Sequence, residues 1–147
     1  MIANANEILD ASTIESSRIE YKADWNPEKI MHTICAFAND IENIGGGYII
    51  IGVEEENGMP KRPVKGIDKG SIDSINKDLM GICNLFEPRY IPSTTHEVVD
   101  GKDITLIEVI VGESRPYKCP DSYSRDKSKR SGTDVVERFC NIVPLSV

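Results

Sequence analysis

Apolar and polar positions along this chain follow two different periods, and the changes of period mark its elements. From Ser17 to Ala23 the run Ser-Arg-Ile-Glu-Tyr-Lys-Ala puts Ile19 and Tyr21 on one side and Arg18, Glu20 and Lys22 on the other. That alternation predicts a half-buried strand. Ile30, Ile34, Phe37, Ala38 and Ile41 then recur at helical spacing and predict a buried stripe over 27–41. Its start is marked by Asn26, which can cap free amides, by Pro27, which suits the first helical position, and by Glu28, which favours the positive end of the dipole. Residues 5–11 are compatible with a short helix ahead of these elements.

Three glycines, Gly45 to Gly47, break the helical pattern and read as a helix stop and tight turn. Tyr48 to Val53 follows as a strand apolar on both faces, which places it inside a covered sheet. Asn57-Gly58 marks a turn, and Lys61 to Lys65 is a basic loop. A second helix is predicted from about Ser71, with Ile72, Ile75, Leu79 and Ile82 on one face, stopping before Pro88. The β-rich runs Thr94–Val99 and Asp103–Val111 join through Asp100-Gly101, a hairpin signal. Beyond Gly112 the chain is polar, with apolar content only at Val135-Val136 and from Phe139 to Val143. The order β-α-β-α-β-β predicts an α/β (α+β) single domain: a mixed β-sheet with two main helices packed on it.

Length and composition sharpen this picture. At 147 residues the chain matches one domain of common size and can bury a core without staples. No apolar run approaches the roughly 18 residues needed to span a bilayer, and the first residues lack the features of a signal peptide, so a cytoplasmic protein with no membrane partner is expected. The cysteines at 35, 83, 119 and 140 form no Cys-x-x-Cys pair, and neither His32 nor His96 lies at ligand spacing from them. Free thiols are expected, with Cys35 and Cys83 as small core residues. The formal net charge of −7 opposes simple nonspecific DNA binding, which needs a basic face. Charge is uneven, however: residues 1–60 carry a net of −8 and residues 115–147 a net of +3. A nucleic-acid contact would therefore lie in the C-terminal stretch.

The segments Glu15 to Lys22, Ala36-Phe-Ala-Asn39, Gly45 to Glu55 and Arg115-Pro-Tyr-Lys118 occur together and in this order. In these the chain resembles the Schlafen-type AlbA-like domain, a DNA-binding module of bacterial transcription regulators and RecG-helicase-related proteins. The resemblance covers roughly 12–130, after an N-terminal segment 1–11. Residues 131–147 depart from the family's tyrosine-rich strand and Arg-x-Gly-Ser turn, and are read as a divergent or truncated tail. In longer relatives an ATP-binding or winged-helix region would follow. The resemblance implies an AlbA/Schlafen-core-like fold and a nucleic-acid-binding module, with DNA as the first expected partner and RNA as the second.

The same resemblance implies a further chemistry. Glu15, Glu20 and Glu55, with Lys22 nearby, match the three-carboxylate nuclease site of some animal Schlafens. Clustered carboxylates bind Mg²⁺ or Mn²⁺, which can activate water and stabilise charge on a phosphate. Without such an activity no cofactor is expected. Against it, Glu54 to Glu56 can simply solubilise a strand end, and Glu20 and Lys22 can be solvated edge charges. Gly45 to Gly47 do not make a phosphate loop, because they follow a helix and precede a strand. Arg115, Lys118, Arg125, Lys127, Lys129 and Arg130, interleaved with Tyr117 and Tyr123, can neutralise phosphates and stack on bases, or can form a solvated loop. Three function classes follow: a noncatalytic DNA-binding module, a metal-dependent nuclease, and a protein-interaction domain, which the acidic charge favours. A homodimer is left open.

Overall fold

The computed structural model describes residues 4–11, 18–40, 43 and 45–124. The chain order is α1 (Ala5–Asp10), β1 (Ile19–Lys22), α2 (Pro27–Asn39), β2 (Gly47–Ile51), β3 (Glu55–Glu56), β4 (Met59–Pro60), a short 3₁₀ turn (Lys69–Ser71), α3 (Ile72–Cys83), β5 (Ser93–Val99) and β6 (Lys102–Val109). The fold class is the expected one, α/β with a mixed sheet and two main helices, α2 and α3. These elements group into two compact units.

The first unit holds α1, the strands and the 3₁₀ turn. Its main sheet runs β1-β2-β6-β5, with β1 parallel to β2 and the other neighbours antiparallel. β2 is an inner strand, as its unbroken apolar run predicts, and every one of its residues is buried. Tyr48 and Ile50 face one side, in a core with Tyr21, Val53, Val64, Val99, Ile104 and Leu106. Ala5, Ile8 and Leu9 of α1 complete that core. α1 is short but doubly capped: the Asn4 side chain accepts from Glu7 N at 2.8 Å while the Glu7 carboxylate accepts from Asn4 N at 3.0 Å. Such a capping box satisfies two otherwise orphaned amides.

Asn57-Gly58, read as a turn, and Asp100-Gly101, read as a hairpin signal, both form hairpin turns. Asn57 and Gly58 have φ of 55° and 82°, Asp100 and Gly101 of 54° and 74°. Two successive positive φ values give the turn whose twist matches the flanking strands. The first closes a small ribbon, β3 with β4, and the second joins β5 to β6.

The second unit holds α2, nearly all of α3 and residues 110–124. Asn26 caps α2 by accepting from Lys29 N at 3.1 Å, with Pro27 at the first position, as the sequence indicates. Ile30, Ile34 and Ala38 are buried as predicted, joined by Met31 and Cys35. Phe37, expected in that stripe, is only half-buried, and Ile41 lies outside the described residues. The glycines do not stop the helix. Asp40 does, in left-handed conformation with φ 51°, and its carboxylate accepts from Gly45 N at 2.9 Å and Gly46 N at 3.2 Å. The glycine run instead supplies the amides that this aspartate organises.

Candidate nucleic-acid interface

The acidic positions separate into different local environments. Alternation along β1 sends Tyr21 into the core and leaves Glu20 and Lys22 together on the other side, half-buried and ion-paired at 3.1 Å. β2 ends at Ile51, and Gly52 N and Val53 N bond the Lys22 carbonyl at 2.7 Å and 3.2 Å. Glu55 therefore does not end the central strand. It opens the β3–β4 ribbon, where its carboxylate accepts from Gly58 N at 2.8 Å and braces the turn. Glu15 lies outside the described residues. Among the described residues no three His, Cys, Asp or Glu side chains are grouped to hold a metal ion. Glu20 and Glu55, the two described candidates, each have a different local partner, Lys22 Nζ for the first and Gly58 N for the second.

Two cations of the basic loop after β4, Arg62 and Lys65, are ion-paired within their own unit. The Arg62 guanidinium bonds Asp100 at 2.6 Å and 3.1 Å and Asp10 at 3.0 Å. Those hydrogen bonds hold Arg62 more firmly protonated, and they hold the Asp100 carboxyl below its ordinary range. Lys65 pairs with Asp24 at 2.6 Å, and its pKa is raised by that bond. These cations staple a loop. Nearby in the same unit, Arg18 lies 5.6 Å from the Tyr48 ring centre, and burial, then the Glu108 charge, raises the Tyr48 pKa.

Residues 112–123 make more internal contacts than their polar composition suggests. Tyr117 is a core residue, 4% exposed, and is not available to stack on a base. Asn39, at the end of α2, clamps its backbone from both sides: Tyr117 N donates to Asn39 Oδ1 at 2.6 Å and Asn39 Nδ2 donates to Tyr117 O at 3.0 Å. Ser114 N donates to the Tyr117 hydroxyl at 3.0 Å. Gly112 makes room for the ring, since a methyl group there would overlap it. Its amide also bonds the Ala38 carbonyl at 2.9 Å.

Around this clamp the candidate cations have different fates. Arg115 is exposed. Lys118 is ion-paired with Glu87 at 3.6 Å. Tyr123 is half-buried; its ring lies against Gly81 of α3, and its amide donates to Glu28 Oε1 at 3.2 Å. Arg125, Lys127, Lys129 and Arg130 lie outside the described residues. The sequence pattern assigns no role to Asn39. Its only signal there is the Ala36-Phe-Ala-Asn39 run, in which a polar residue closes an apolar helix.

The family model described as Schlafen, AlbA_2 matches residues 15–137 of this chain. No curated protein gives a match. Among solved structures, the N-terminal domain of an ATP-dependent DNA helicase RecG-related protein from Nitrosomonas europaea is similar at 26% identity and a TM-score of 0.60, covering 85% of this chain and 94% of that one. The DIP2311 protein from Corynebacterium diphtheriae is similar at 19% identity and a TM-score of 0.51, over 78% of this chain, and there the likeness concerns the fold alone. This chain spans only 22% of that protein's length.

Proposed function

The chain belongs to the Schlafen AlbA_2 family, and from that membership we propose that it is a noncatalytic nucleic-acid-binding module with DNA as its first ligand. The family and the RecG-related neighbour mark a nucleic-acid-related domain. The finer reading rests on one observation above the others: 94% of a helicase-related N-terminal domain is matched by this chain alone. A self-contained module of that kind serves to bring a larger protein to DNA, and a transcription regulator is the kind of protein proposed here. Arg115, presented on the clamped 112–118 loop, supplies phosphate contact together with the cations at 125–130, and the acidic remainder of the chain takes no part in it.

The test is a gel-shift series with single-stranded DNA, duplex DNA and RNA, run with and without Mn²⁺ on the purified chain and on Glu20→Gln. Retained binding and intact oligonucleotides in both proteins support the noncatalytic reading. Cleavage by the unaltered chain that disappears in Glu20→Gln would replace it with a metal-dependent nuclease. Absence of binding to all three ligands would leave protein interaction as the function.

A further inference from the structure

Two loops of the second unit are stapled into one platform. Glu87 N bonds Lys118 O at 3.0 Å and Lys118 N bonds Glu87 O at 2.9 Å. The Tyr90 hydroxyl donates to the Ile110 carbonyl at 2.5 Å, and its ring meets that of Tyr117 edge-on at 5.5 Å. With Asn39 holding Tyr117 from behind, chain segments 87–91 and 110–118 are fixed relative to each other without being regular structure. On this platform Arg89 stands two residues from the bridge and Arg115 three, and both are exposed. Ile91 and Ile110 are 64% and 62% exposed, a high value for isoleucine beside a tied backbone. Glu87 is spent on Lys118, so among the described ion pairs neither arginine is neutralised.

We propose that this platform binds single-stranded nucleic acid, Arg89 and Arg115 taking backbone phosphates while Ile91 and Ile110 lie against unstacked bases. The inference rests on the nucleic-acid reading above and adds Arg89, which charge runs in the sequence do not single out, as a binding residue. Guanidinium groups are suited to phosphate because their planar forks match two of its oxygens. The exposed isoleucines decide between ligands. In a duplex the base faces are stacked on one another, whereas a single strand exposes them to apolar side chains. A rigid platform also spares the ordering cost that a floppy basic tail would incur on binding.

The experiment measures affinity against salt for labelled poly(dT), poly(U) and duplex oligonucleotides, using the unaltered chain, Arg89→Ala/Arg115→Ala and Ile91→Ser/Ile110→Ser. All four side chains are exposed, so thermal melts of the variants should match that of the unaltered chain. The arginine pair should lower the salt slope on single strands by about 1.4, at ~0.7 for each phosphate no longer neutralised. The isoleucine pair should weaken single-strand binding at least several-fold with the slope unchanged. If the unaltered chain binds single strands and the arginine variant keeps its slope, the platform is wrong while the broader function stands. Tighter binding of duplex than of either single strand would also overturn it. Failure of the unaltered chain to bind any oligonucleotide removes both readings.

Discussion

At the scale of single residues, Asn39 carries more structure than its neighbours. Its amide pairs with both backbone polar atoms of buried Tyr117, at 2.6 Å and 3.0 Å, and the Tyr117 carbonyl also accepts from Cys35 Sγ at 3.5 Å. A buried backbone group left without a partner costs about 1–3 kcal/mol. Asn39→Ala leaves Tyr117 N without that partner while Cys35 still reaches the carbonyl, so it should destabilise the chain by about 1–3 kcal/mol, measured by urea denaturation, and a loss under 1 kcal/mol would mean that water replaces the clamp. Asn39→Asp tests the geometry more finely, since it keeps the acceptor for Tyr117 N but sets an oxygen against Tyr117 O. Cys83 provides a second test. Burial pushes its thiol up to about 11 from an ordinary 9.0, with Arg89 pulling slightly the other way. Below pH 9 the thiol is protonated whether the chain is folded or not. Between pH 9 and 11 only the unfolded chain ionises, so stability should fall across that window. Cys83→Ala should lose less stability than the unaltered chain over the same range. Equal losses would show that Cys83 is ionised freely in the folded state.

At the scale of elements, legibility followed the range over which the physics acts. Asn26-Pro27 and the dipeptides Asn57-Gly58 and Asp100-Gly101 encode their structures through neighbouring atoms, and each was found where the sequence placed it. The stop of α2 was misplaced because Asp40 acts over a gap: its carboxylate gathers amides five and six residues away, and no dipeptide pattern announces that. The half-burial of Phe37 was equally hidden, since spacing shows which helix face is apolar but not where that face ends. A pair of glycine substitutions separates local from tertiary constraints. At Gly101 an added methyl group meets nothing, so Gly101→Ala should cost only the strain of positive φ, ~1–2 kcal/mol. At Gly112 the methyl group would overlap the buried Tyr117 ring. Gly112→Ala should therefore also disturb that ring, visible as a changed tyrosine environment in near-ultraviolet circular dichroism, whereas Gly101→Ala should leave the spectrum alone. A spectrum altered equally by both would contradict this division.

At the scale of the whole molecule, the question is how a chain of net charge −7 approaches a polyanion. Of the candidate site, Arg115 is exposed. Arg62 and Lys65 are consumed by Asp10, Asp24 and Asp100, and Tyr117, read as able to stack on bases, is consumed by the core. That consumption comes from long-range pairing, which composition along the chain cannot reveal. Of the cations proposed for the ligand, Arg89 and Arg115 are exposed, and Arg125, Lys127, Lys129 and Arg130 follow in the sequence. Replacing Arg125, Lys127, Lys129 and Arg130 with Ala takes the formal net charge from −7 to −11. If these residues touch phosphate, affinity should fall on every sequence alike and the salt slope should shrink by about 0.7–0.9 for each phosphate no longer neutralised. If they act only by offsetting the acidic half of the chain, affinity should still fall at low salt, but the slope should shrink by much less than four such phosphates require. At an ionic strength where the screening length is about 8 Å, distant compensation is largely screened and direct contact is not. The variant's affinity should therefore converge on that of the unaltered chain at physiological salt in the second case and remain below it in the first. Binding through phosphate contact predicts the persistent gap.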